Sequence, residues 1–138
     1  MSSNELLAAW NQRSDADRTA FTSSIVELVA AKLSADTDPW YPGTLQREPH
    51  VQIYAAKQHD RRLTLSFVAD HLIYCVAQSG SDWADHYVFV GDVTFEDGKR
   101  VAESLALVKH VGLSERETDA YDQEAVVAAV RDAAIAKA

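Results

Sequence analysis

Cysteine, glycine and proline are all scarce in this sequence: one Cys (Cys75), five Gly and three Pro among 138 residues. A lone cysteine excludes an internal disulfide framework and any zinc site built on cysteine pairs. The few glycines leave no material for a phosphate-cradling loop or a dinucleotide fingerprint. Neither a G-x-S-x-G elbow nor an H-E-x-x-H helix occurs. Apolar runs stay well short of the ~20 residues that a membrane-crossing helix needs. Basic charge is short too, with 13 Lys and Arg against 21 Asp and Glu, for a net charge of −8. Such a surface repels phosphate backbones. The adjacent basic pairs, Arg61-Arg62 and Lys99-Arg100, do not make a track along DNA or RNA. Neither nucleic acid nor membrane is expected as a partner. The opening residues, MSSNELLAAW, carry no basic head and no long apolar run, so no secretory leader and a cytoplasmic location are expected.

The residues present, 47% hydrophobic and 25% charged, suit a single globular domain with one core. Residues 3–35 read as helical. Ser2 with Glu5 resembles a capping box, and Ser14, three residues before Asp17, marks a second start with a break near Arg13. Phe21, Ile25, Leu28, Val29 and Leu33 then form one buried stripe. Residues 36–50, with three prolines and Gly43, read as a loop. Residues 51–95 read as a sheet of about four mostly antiparallel strands. Val51, Ile53 and Ala55 alternate with Gln52 and Tyr54, and Leu63, Leu65 and Phe67 alternate with Thr64 and Ser66. Gln58 to Arg61 is turn-like, Asp70-His71 reads as a tight turn or bulge, and Gln78 to Asp82 as a loop. Residues 98–138 read as helix again. Val101, Leu105 and Val108 mark a first face that Gly112 stops, Ser114 with Glu117 is a capping box, and Asp122 is a further start. Val126, Val127, Val130 and Ala134 form the small-residue face of the last helix. The fold class is therefore α+β: an N-terminal helical pair, the sheet over 51–95, and two C-terminal helices packed on it. The sheet face bearing Tyr54, Thr64 and Ser66 is expected to be wet or a subunit interface.

Three histidines neighbour an aspartate: His59-Asp60, Asp70-His71 and Asp85-His86. A carboxylate can orient an imidazole, and the two together can bind a metal. The plainer reading is turn chemistry at strand ends, and neighbours on a strand point to opposite faces. The densest mixed patch is Asp82-Trp83-Ala84-Asp85-His86, a polar-ligand site if its acids and imidazole converge beside the Trp83 ring. Trp40 and Tyr41, between Pro39 and Pro42, are stiffly held aromatics that suit a binding anchor or a lid over the core. Cys75, inside an apolar run, reads as a small buried hydrophobe rather than a nucleophile.

Glu5 to Phe21, ELLAAWNQRSDADRTAF, resembles the opening of the cone-shaped NTF2-like families, which include small isomerases and ligand-binding pockets. Those families finish on long curved strands, whereas this sequence reads as finishing on helices. No metal, cofactor or catalytic residue is expected. The leading functional expectation is a non-enzymatic interaction module, a small acidic adaptor or chaperone-like protein that docks a protein partner and forms a homodimer. The alternative is a small-ligand-binding or simple enzyme domain with an Asp/His pocket using Asp82, Asp85, His86 or His71.

Overall fold

A computed structural model describes residues 3–36, 49–76 and 82–137. Helices α1 (Ser3–Gln12) and α2 (Asp15–Asp36) precede strands β1 (His50–His59), β2 (Arg62–Val76), β3 (Asp82–Glu96) and β4 (Lys99–Ser114). Helices α3 (Glu115–Ala120) and α4 (Gln123–Lys137) follow. The strands form one antiparallel meander in the order β1-β2-β3-β4, so the expected α+β layout is the observed one. Among the described residues, no helix is long and apolar enough to cross a membrane.

The helix ends follow their capping residues. The Asp17 amide donates to Ser14 Oγ at 3.2 Å, which starts α2 just after the break at Arg13. Ser114 and Glu117 form the full reciprocal box on α3. The Ala125 amide donates to Asp122 Oδ1 at 3.1 Å and starts α4.

Alternation along the strands sorts their side chains onto two faces. On one face Leu65, Phe67, Tyr87, Phe89 and Val93 meet Trp10, Ile25, Val29 and Leu33 of α1 and α2 in the main core. Edge-to-face contacts from Trp10 to Phe21 (5.8 Å) and from Phe21 to Phe95 (4.9 Å) run through that layer. On the other face Val68 and Val88 pack against Val127, with Val126 and Val130 alongside. The Tyr54, Thr64 and Ser66 face is therefore covered at one end by α4, which corrects the expectation of a wholly wet or subunit-covered surface. A bulge at Tyr54 shifts the register of β1, so Ala56 rather than Ala55 faces the main core.

The largest correction concerns residues 98–110, expected as helix: Gly98 belongs to a turn, and 99–110 make up most of β4. The sheet thus runs from residue 50 to residue 114, beyond the expected 51–95. Asp97 and Gly98 both have positive φ, 52° and 80°, and close a two-residue hairpin between Glu96 and Lys99. That is the turn an Asp-Gly pair favours. Val101 and Val108 imitate a helical face in sequence, yet they sit at the two register shifts of β4. Gly112 lies within the strand and stops no helix. Gly91 answers a separate demand: a Cβ there would strike the Ser104 carbonyl and lie 2.8 Å from the Phe67 ring. Asp70-His71 is no turn either, because β2 runs unbroken through it.

Candidate functional site

Asp70 and His71 sit in mid-strand on β2, and Asp85 and His86 do so on β3. Each adjacent pair is split between the two faces of the sheet. The register sets Asp70 against Val88 and Leu72 against His86, so Asp70 and His86 share the α4 face as diagonal neighbours. His86 is 0% and Asp70 3% exposed. His86 Nε2 donates to Asp70 Oδ2 at 2.8 Å, and the Tyr121 hydroxyl donates to His86 Nδ1 at 2.6 Å. The Gln123 amide donates to the same Asp70 oxygen at 2.7 Å.

Burial alone would raise the Asp70 carboxyl. Hydrogen bonds from His86 and Gln123, with the fields of His86 and His50, outweigh it and hold Asp70 below the ordinary carboxylate range. Burial, reinforced by the Asp70 charge, pushes the Tyr121 hydroxyl above its ordinary value, so it keeps its proton and stays a donor. Both nitrogens of His86 are committed, which makes this imidazole a holder of structure rather than a reagent.

The other oxygen of Asp70 is less committed. Its Oδ1 lies 3.6 Å from Nδ1 of His50, the residue opposite it on β1. Both line a groove of about 800 Å³ between β1 and α4, with Gln52, Gln123, Arg131 and Val127 around it. A mostly buried carboxylate opening on a groove of this size is suited to hold a hydrogen-bond donor or a small cationic group.

A second carboxylate–imidazole pair lies on the opposite face. His110 Nε2 of β4 donates to Asp85 Oδ1 at 2.9 Å, and its ring stacks on Tyr87 at 4.4 Å and 7°. Here the imidazole is open, with 45% of its side chain exposed against 9% for Asp85. His71 is buried on this same face. Burial pushes its imidazole below the ordinary range, the Asp70 charge opposes that shift, and the field of His86 adds to it.

The expected patch Asp82-Trp83-Ala84-Asp85-His86 lies within β3 and does not converge. Asp85 and His86 point to opposite faces, and Trp83 lies exposed on the Asp85 side. Asp82 opens β3 opposite Val76, and its side chain is outside the described residues. Trp40 and Tyr41 lie outside the described residues altogether. Among those described, no group of three or more His, Cys, Asp or Glu is placed to hold a metal ion.

Sequence reasoning passed over His50, Tyr121, Gln123 and His110 as site residues. Parity was the available signal for the central pair. Two even-numbered residues on the strands of an antiparallel hairpin share a face once one even-numbered pair is in register. Nothing local to His50, Tyr121 or Gln123 announces a role, because Tyr121, just after α3, and Gln123, which opens α4, reach the sheet from 35 and 53 residues away in sequence. No protein-family model, curated protein or solved structure matches the chain, and the likeness of Glu5 to Phe21 to the NTF2-like opening therefore rests on those residues alone.

Proposed function

We propose that the chain is a small-molecule-binding domain, and that the groove between β1 and α4 takes a polar ligand through the Asp70 carboxylate. This takes up the Asp/His-pocket alternative but keeps only His86 of its residues: Asp70 and His50 stand at the ligand, with His86, Tyr121 and Gln123 behind them. The observation that supports it is the division of labour on Asp70. One oxygen is tied down by His86 and Gln123, while the other lies 3.6 Å from His50, which lines the groove together with Asp70. A carboxylate held in this way is oriented before a ligand arrives, which lowers the entropic cost of binding. The ligand class is a small amine, amidine or amide that presents N–H donors.

A panel of such compounds, followed by amide chemical shifts, tests the reading. A true ligand moves the signals of His50, Gln52 and Gln123 in a saturable way. Gln52→Ala, a change on the half-buried groove wall, should weaken that ligand about tenfold, equivalent to ~1.4 kcal/mol. Shifts scattered away from the groove, or unchanged affinity in both Gln52→Ala and Asp70→Asn, would refute it.

One observation favours the interaction-module reading as a second proposal. Val101, Leu107 and Val108 of β4 are 46%, 39% and 51% exposed, on an edge strand of 16 residues. An exposed apolar edge can dock a protein partner, including a second copy of this chain. Light scattering at micromolar concentration tests the homodimer. A dimer that Val108→Lys dissociates supports it, and a monomer throughout removes it.

A further inference from the structure

A second cavity, of about 640 Å³, opens where α1, the first turn of α2, β1 and α4 meet. It is lined by two guanidinium groups, Arg18 of α2 and Arg131 of α4, in a chain of net charge −8. Their internal partners are weak ones. Arg18 reaches Asp15 at 2.5 Å, but that carboxylate is 95% exposed. Arg131 reaches Asp132 at 3.2 Å, and that carboxylate is 66% exposed. Pairs so exposed hold loosely, because water and salt screen them. Arg131 Nη1 also donates to Gln52 Oε1 at a long 3.4 Å.

Arg18 shows the more telling feature. Its Nε is shut away from solvent and donates to nothing, the one buried side-chain nitrogen or oxygen without a partner among the described residues. Native structures rarely leave such a donor unanswered, and each case calls for a reason. Leu7, Trp10 and Ile53 also line it, as does Asp15, the exposed partner of Arg18, so the cavity offers two guanidinium groups against one carboxylate together with an apolar surface.

We propose that Arg18 and Arg131 form an oxyanion site, taking the carboxylate or phosphate of a small molecule whose apolar body lies against Leu7, Trp10 and Ile53. Guanidinium groups suit this role because their planar forks match the spacing of carboxylate and phosphate oxygens. A modest movement of the Arg18 side chain would turn its Nε–H edge toward the anion. The site does not use Asp70 or His50, although Arg131 and Gln52 line both this cavity and the amine-binding groove.

The test uses the whole chain and two probes, inorganic phosphate and benzoate, titrated at constant ionic strength against chloride. Binding is read from the Nε–H resonances of the arginines. We expect saturable shifts at Arg18 and Arg131, and at least a tenfold loss of affinity in Arg18→Gln and in Arg131→Gln. The charge-matched control Arg116→Gln, at an exposed position on α3, should bind as the parent does. Circular dichroism on each variant separates lost binding from lost fold. Arg18→Lys keeps the charge without the Nε donor, and it too should weaken the anion. Saturable binding of phosphate alone assigns the site to phosphoryl ligands, and of benzoate alone to apolar carboxylates. Shifts that chloride reproduces, or equal affinity in Arg18→Gln and Arg116→Gln, overturn the proposal.

Discussion

The Asp70–His86 and Asp85–His110 pairs use the same two side-chain types on the same sheet, yet they are different objects. In the first the imidazole is sealed in and makes hydrogen bonds through both nitrogens, while its carboxylate borders the groove. The second has its carboxylate tucked in and its imidazole open, lying flat on Tyr87. Burial makes the difference. In a region of low effective dielectric a hydrogen bond to a carboxylate is strong, and losing the donor strands the charge. At an exposed position water replaces the missing partner. The sealed pair also reaches both ends of the α3–α4 connection, through Tyr121 and Gln123, so it fastens the C-terminal helices to the sheet. The open pair joins only β3 to β4, which already share a long ladder.

That contrast is easiest to break with single substitutions compared across the two faces. His86→Ala should have the largest effect, about 3–5 kcal/mol of lost stability in urea unfolding, because it leaves the Asp70 charge buried without its main partner. If His86→Ala cost no more than His110→Ala, the distinction between sealed and open would be wrong. Tyr121→Phe should come next, at about 1–3 kcal/mol, since it removes one donor and leaves His86 Nδ1 unsatisfied in the interior. Hydrogen exchange should show α3 and the start of α4 opening before the sheet does.

Acid should unfold the chain in two stages. His71 is held below its ordinary 6.5 by burial. Its unfolded form therefore binds a proton first, and stability falls as pH drops below about 6.5. Asp70 is held below its ordinary 3.8, so the stability it contributes is complete above that value and disappears as pH falls through its lower folded value. Urea midpoints measured from pH 8 to pH 3 test this, with His71→Gln flattening the first stage and Asp70→Asn the second. The smallest effect should be that of His110→Ala, about 0–1 kcal/mol. A larger loss there would mean that the open pair carries structure after all.

Local signals were legible where the physics is local. Ser14, Ser114 and Asp122 satisfy helix-end amides within three residues, so the caps could be read directly. The stripe from Phe21 to Leu33 needed only the helical period. β4 was misread for an instructive reason. Val101, Leu105 and Val108 fit a helical face by spacing, but two of those valines stand at bulges, where strand alternation is interrupted. Asp97-Gly98, the best hairpin signal in the chain, lay just before them and favoured the strand. The groups around Asp70 were illegible for another reason. Their meeting depends on the β1–β2 and β2–β3 registers and on where α4 comes to rest, none of which is encoded in a short window.

By itself the order of residues settled where α2, α3 and α4 would start and where the stripe of α2 would lie, and it offered the rule that Asp-His neighbours part company wherever they lie within a strand. Tertiary structure alone decided who met whom: Asp70 with His86, His86 with Tyr121, and Arg18 with Arg131 on the lining of one cavity. Caps and stripes are short-range and cost little chain entropy to form, whereas those meetings require distant strands and helices to be docked first, and only burial then gives them their strength.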